Sequence, residues 1–309
     1  MFGILRLAAA QVMEKPAAVP LALVSENATR LPSLNTVLDG FNGSVTFAVA
    51  HDSYIGWYDV VTPVLSYAFT PRYSADVSFS VYPYRLAPNQ SATVTAATRL
   101  LTTKGDLSDV LLAFHATFRP GVLQDAVTFS MTAPTGNRPH GLGMGQSTFD
   151  LSNYMQRYTR RGGWLVETGV GDSAGLFNRL VPAEDVSAAP VAHFQAGLFA
   201  WMVGRSYLES VAYEQLPIGD QKLYTTVVVR PGFPPQAVVT GRRVAEDNGL
   251  TTSVGVPLSS HVTWTTAYNR SLRLHLDTFS TGVTYVFRSR RRSDEALIDA
   301  ALREAERTQ

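Results

Sequence analysis

The sequence predicts an all-β protein: a transmembrane antiparallel up-and-down β-barrel of about 14 strands, with 12 possible, followed by a short C-terminal helix. Three observations lead there. Period-two alternation of apolar and small polar residues recurs along the chain, which is the pattern of strands with two unlike faces. The alternating stretches run to about ten residues, enough to cross a bilayer when tilted, whereas soluble strands average about five or six. Short and long connections take turns along the chain, as they do when one end of a barrel carries tight turns and the other carries loops.

Taken in order, the strands are expected at about 44–51, 56–69, 73–84, 107–118, 122–133, 147–158, 163–172, 191–203, 206–214, 221–230, 236–245, 250–257, 261–270 and 277–287. In 73–84, Ala75, Val77, Phe79 and Val81 oppose Ser74, Asp76, Ser78, Ser80 and Tyr82. In 107–118, Val110, Leu112, Phe114, Ala116 and Phe118 oppose Asp109, Leu111, Ala113, His115 and Thr117. Val127, Phe129 and Met131 oppose Ala126, Thr128 and Ser130, and Trp164, Val166 and Val170 oppose Leu165, Glu167 and Gly169. The last strand puts Phe279, Thr281, Val283, Tyr285 and Phe287 on one face, against Ser280, Gly282, Thr284 and Val286. Strands 206–214 and 236–245 alternate poorly, and one misread hairpin lowers the count to 12.

Tight links fall at Thr70–Arg72, Arg119–Gly121, Arg161–Gly163, Gly204–Ser206, Gly232–Pro235 and Pro257–Ser260. Longer polar links run over 85–106, 134–146, 172–190, 215–220, 246–249 and 269–277. Gly and Pro concentrate in the tight set because they supply the backbone angles that turns require.

Alternation alone leaves open which face is wet. In a soluble sandwich or lipocalin-like barrel the Phe/Val face would be the core; in a membrane barrel it meets lipid, and the small polar face lines the lumen. Strand length, turn rhythm and aromatics near strand ends favour the membrane reading. Trp57, Tyr67, Phe69, Tyr82, Tyr84, Phe118, Tyr158, Trp164, Tyr207, Tyr268, Phe279, Tyr285 and Phe287 fit girdles at two interfaces.

Composition narrows the function. With 26 basic and 25 acidic residues, bulk charge argues against nucleic-acid binding. The absence of cysteine excludes a thiolate metal site and a Cys nucleophile. The histidines at 51, 115, 140, 193, 261 and 275 show no metal-ligand spacing, so no metal and no cofactor is expected. His51–Asp52–Ser53 holds the residue types of a triad, but neighbours on a strand point to opposite faces. Gly141–Gly145 lacks phosphate-loop spacing and reads as a flexible outer loop. No catalytic residue is therefore expected.

The chain ends its last strand in Tyr285–Val286–Phe287, which resembles the terminal strand recognised by the barrel-assembly machinery of the outer membrane. The stretch Met131–Tyr158 runs from a strand into Pro–Thr–Gly, then a Gly-Leu-Gly loop, then a Ser–Thr–Phe–Asp strand start. It resembles the meta-pathway-of-phenol-degradation family of outer-membrane β-barrel proteins. The likeness covers about 44–287 and is strongest over 131–172. It implies a Gram-negative outer-membrane location, transporter-like behaviour towards aromatic compounds, and lipid, the assembly machinery and a small-molecule solute as partners. The assembly-signal residues it implies are Phe279, Val283, Tyr285 and Phe287.

On the small polar face lie Asp76, Asp109, His115, Glu167, His193, Lys222 and Arg230, the candidate lumen-lining residues. They serve either to tune permeation or to knit the barrel by internal ion pairs. The expected function is an outer-membrane channel for passive passage of small, aromatic or hydrophobic molecules, closed if at all by 85–106 or by 1–43. The alternative is a structural or adhesion barrel whose loops 85–106 and 172–190 bind a partner; a lipid-modifying enzyme is disfavoured for want of a triad. Residues 1–43 read as a periplasmic segment, a plug or a degenerate leader, in which Arg6 splits the apolar run. Residues 288–309 read as a basic cluster followed by a helix capped at Ser293.

Overall fold

The computed structural model describes residues 40–287, apart from 54–55, 71, 89–99, 119–122, 138–141, 143–144, 160, 173–189, 203–205, 220–221, 228–235, 243–245, 260 and 274. The strands are β1 (Gly40–Asp52), β2 (Gly56–Ala68), β3 (Tyr73–Ser78), β4 (Val81–Pro88), β5 (Leu100–Thr103), β6 (Asp106–Leu107), β7 (Val110–Phe118), β8 (Leu123–Ala133) and β9 (Thr148–Thr159). They continue as β10 (Gly162–Gly171), β11 (Val191–Trp201), β12 (Tyr207–Pro217), β13 (Lys222–Val227), β14 (Gln236–Arg242), β15 (Asp247–Pro257), β16 (Val262–Ser271) and β17 (Leu276–Val286).

Twelve of these close on themselves: β1, β2, β3, β7, β8, β9, β10, β11, β12, β15, β16 and β17, each antiparallel to its neighbours. Closure is made by β1 against β17, from Ser44↔Val286 to Asp52↔Thr278. The barrel thus has no open edge, the condition for a sheet to cross a membrane.

The wall count settles on twelve because β12 pairs directly with β15, from Tyr207↔Gly255 to Gln215↔Asp247. The segments expected as strands 221–230 and 236–245 instead pair with each other as β13 and β14, outside the barrel sheet. The link expected at Gly232–Pro235 falls between them in sequence and lies outside the described residues. The barrel also begins earlier than residue 44: Gly40 is already paired, opposite Ala68. Residues 1–39 and the helix expected beyond residue 293 lie outside the described residues.

Two wall strands are interrupted. β3 and β4 form one path broken at Phe79–Ser80, and β6 and β7 form the adjacent path broken at Ser108–Asp109. The breaks face each other and are stitched: Ser80 N donates to Ser108 Oγ at 2.8 Å, and Ser108 N donates to Ser80 O at 2.9 Å. Beyond the breaks, β4 continues into a hairpin with β5, from Arg85↔Thr103 to Pro88↔Leu100.

Both ends of the described chain lie at the rim that carries the connections 69–72, 119–122, 160–161, 202–206 and 258–261. Hydroxyls tie these turns. Thr70 Oγ1 accepts from Arg72 N and Tyr73 N, and Ser259 Oγ accepts from His261 N and Val262 N. The opposite rim carries the longer connections 134–147 and 172–190, and the short turns 53–55 and 272–275.

The core is inverted relative to a soluble protein. Phe47, Val49, Leu65, Val77, Phe114, Phe129, Leu151, Leu198 and Leu208 lie on the outer surface, with Leu198 69% exposed. The buried side chains include Thr46, Gln156, Glu167, Gln195, Glu209, Thr251, Thr265 and Ser280. A continuous apolar band far exceeds the few hundred Å² that a water-soluble monomer tolerates. Aromatics flank the band at both rims. Phe41, Tyr67, Phe69, Tyr73, Phe118, Tyr285 and Phe287 are exposed near the short-turn rim; Trp57, Tyr84, Phe149, Tyr268 and Phe279 are exposed near the other. Ring contacts link neighbours within a girdle, as in Phe41–Tyr67 at 4.7 Å and Tyr285–Phe287 at 5.4 Å. On this face Trp264 Nε1 donates to Thr281 Oγ1 at 2.9 Å, so the indole N–H is satisfied within hydrocarbon.

Tyr82 and Tyr207 depart from the girdle reading. Both are buried inside the barrel, with Tyr58 and Tyr213. Alternation already placed Tyr82 on the inner face. In β12 both faces mix large and small residues, so its register is set by its neighbours.

Candidate lumen and its outer constriction

The inner wall is built by the even or odd members of each strand according to register. Cross-strand partners on this face are complementary in size: Tyr207 stands opposite Gly255, and Tyr213 opposite Gly249. A side chain at Gly249 would come within 2.5 Å of the Tyr213 hydroxyl, so its absence gives the ring room along the wall. That hydroxyl lies within reach of Asp247 Oδ2 at 3.4 Å and Asn269 Oδ1 at 3.3 Å, while Ser271 Oγ donates to Asp247 Oδ1 at 2.6 Å.

Of the candidate lumen residues, Asp76 and His115 meet side chain to side chain on the adjacent strands β3 and β7. His115 Nε2 meets Asp76 Oδ1, and its Nδ1 meets Thr128 Oγ1 at 2.9 Å. His193 on β11 reaches over β10 to Asp150 on β9, Nε2 to Oδ1 at 2.9 Å. Glu167 is buried midway along β10, directly paired with Gln195. Asp109 does different work: its Oδ1 accepts the backbone N–H of Gly136 at 2.8 Å and so anchors the 134–147 connection. Lys222 sits on β13, off the barrel wall, because β13 pairs only with β14. Arg230 lies outside the described residues. Alternation could not separate a projecting hairpin from a wall hairpin, since both present strands.

Residues that sequence reasoning missed gather where the 134–147 connection folds back on the wall. Leu142 is fully buried against Ala50, Tyr58, Val60 and Tyr82. Its backbone is held at both ends: Leu142 N donates to Asn137 O, and Asp109 N donates to Leu142 O, each at 3.1 Å. Asn137 is fixed in turn, donating from Nδ2 to Asp106 Oδ1 at 2.8 Å and from its backbone to Leu107 O. Within the stretch read as a flexible outer loop, Leu142 thus carries an apolar side chain into the barrel mouth.

Beside it lies Arg85, 0% exposed, with its guanidinium carbon 5.3 Å from the centroid of the Tyr82 ring. Tyr58 is 6.5 Å from Tyr82, ring to ring. Asp106 and Tyr58 act electrostatically on Arg85. The signal for Arg85 was weak in the sequence because it stands where a strand runs on into a hairpin beyond the barrel.

His51 and Asp52 face opposite sides, as alternation requires. His51 packs edge-on to Trp57 at 4.9 Å, while Asp52 turns inward and accepts from Thr278 Oγ1 at 2.9 Å. Among the described residues no group of three His, Asp or Glu side chains could hold a metal ion.

A closed barrel, apolar outside, polar inside and belted by aromatics at both rims, defines an integral β-barrel of the Gram-negative outer membrane. Solved structures of this class resemble it. The crystal structure of the COG4313 outer membrane channel from Pseudomonas putida F1 superposes with a TM-score of 0.52 at 13% identity, over 82% of this chain and 99% of that chain. The NanC porin gives 0.48 at 7% identity, over 78% and 98%. The CymD monoaromatic hydrocarbon channel gives 0.41 at 8% identity, over 88% and 94%. At these identities the first likeness speaks for the fold alone. No protein-family model matches the sequence, and no curated protein matches it significantly.

Proposed function

We propose that this protein is a passive outer-membrane channel for small molecules, narrowed at its outer mouth by Leu142 and the Tyr58–Tyr82 pair. The observation that carries the reading is the polar inner wall: a barrel whose buried residues are Thr, Ser, Gln, Asp and Glu keeps water inside. Among the described residues, Asp52, Asp76, Asp106, Asp150, Glu167, Glu209 and Asp247 face inward, against one buried arginine. Such a wall raises the local concentration of cations over anions. The tyrosine rings at the mouth, together with the likeness of Met131–Tyr158 to phenol-degradation barrels, favour small aromatic solutes. Asp76, His115, Glu167 and His193 then line the path.

The barrel reconstituted in planar bilayers tests this. Discrete conductance steps with a cation-favouring reversal potential are expected; a folded barrel that neither conducts nor admits solute into liposomes overturns it. The β4–β5 and β13–β14 pairings, which stand outside the twelve closing strands, favour a second reading as a partner-binding barrel. Deleting β13–β14 with loss of partner binding and unchanged permeability would select it.

A further inference from the structure

The Arg85 guanidinium is the one place in the described inner wall where a buried cation has no hydrogen-bonding partner. Its Nε, Nη1 and Nη2 are all without one among the described residues, although the side chain is 0% exposed. Burying a guanidinium in this way is costly unless acceptors complete it. Asp106 acts on the cation electrostatically but makes no hydrogen bond to it, and its Oδ1 accepts from Asn137 Nδ2; Asp52, beside Tyr58, accepts from Thr278 Oγ1. Tyr82 lies beneath the cation, and Tyr82 in turn packs in an apolar cluster with Tyr58, Val60 and Leu142.

We propose that Arg85 is the anion-holding element of a solute subsite at the outer mouth, built for a carboxylate carried on a compact apolar or aromatic body. A carboxylate accepts two parallel N–H bonds from a guanidinium, which neither chloride nor a hydroxyl does. The planar fork stays stacked on Tyr82 while it donates. The body of the solute packs on Tyr58 and Leu142. Leu142 is held through its backbone, which leaves its side chain as the part of the connection that moves aside to admit the solute. The acids Asp52 and Asp106 weaken binding enough for the solute to leave, as conduction requires. The subsite rests on the channel reading for its purpose, but not for its existence.

The probe is benzoate, set against its neutral isostere benzamide and against acetate, with binding to the full-length folded barrel in detergent measured by calorimetry. Benzoate is expected to bind at least about tenfold more tightly than either comparison compound. Arg85→Gln should abolish the preference over benzamide, and Arg85→Lys should restore part of it. Equal binding of benzoate and benzamide by the unaltered chain overturns the proposal, whatever the variants do. So does full benzoate preference in a folded Arg85→Gln barrel. Binding without conductance defeats the channel and leaves the subsite; conductance without carboxylate preference defeats the subsite and leaves the channel.

Discussion

Tyr207 on β12 lies over Gly255 on β15, its direct cross-strand partner, so closely that a methyl group at position 255 would overlap Cε1 and Cζ of the ring. The glycine lets a tyrosine on the inner wall lie along the sheet instead of crossing the lumen. Gly255→Ala is therefore expected to cost about 1–3 kcal/mol, the usual range for overpacking, and to push the ring inward. Folding equilibria in lipid vesicles should show the loss, and single-channel conductance should fall. The double variant with Tyr207→Ala should recover most of the stability, because the two positions share one contact.

The outer band is held by contact with hydrocarbon. Phe47 is exposed midway along β1, beside Val61 and Val283 on the same face. Phe47→Arg is expected to destabilise the membrane-inserted barrel by about 2–4 kcal/mol, the cost of a basic residue near the midplane. Phe47→Leu should be close to neutral. Reversible folding into phosphatidylcholine vesicles measures both; equal stabilities would mean this face is not in lipid.

On the channel reading, the acidic wall is expected to set ion preference. Glu167 and Glu209 are buried on β10 and β12. Replacing both by Gln should lower the cation-to-anion permeability ratio, read as a reversal-potential shift under a salt gradient. Arg85→Gln should move it the opposite way.

The β13–β14 hairpin is not part of the wall, because β12 and β15 already pair across it. Replacing 222–242 with a short Gly/Ser linker should leave a barrel that still shows the heat-modifiable shift on gels. Loss of that shift would make the hairpin a wall element.

Phe287 is 63% exposed at the short-turn rim, yet its backbone N–H is tied to Gly43 O at 2.9 Å. Phe287→Ser leaves that backbone bond in place and removes only the ring. If the terminal aromatic strand is read during assembly, the variant should accumulate less in the outer membrane while refolding normally in detergent. Reduced refolding in detergent would assign the ring a structural part instead.

By itself the chain determined the strands and their two faces. Alternation in Phe279–Phe287, Val110–Phe118 and Ala126–Ala133 is a local property, since side chains on an extended backbone must take opposite sides. The tight turns were legible too, because Pro, Gly, Ser and Thr act within four residues. Asp76, His115, Glu167 and His193 were placed on the inner face for the same reason, but their partners were not visible; Asp150 stands two strands away from His193. Tertiary structure decided what depends on closure and on long connections. Whether Lys222–Val227 joins the wall turns on which neighbour completes β12, and its own alternation is the same in either case. The inward fold of Leu142 and the lone guanidinium of Arg85 arise where a loop meets a strand extension, sites whose backbone bonds come from segments distant in sequence.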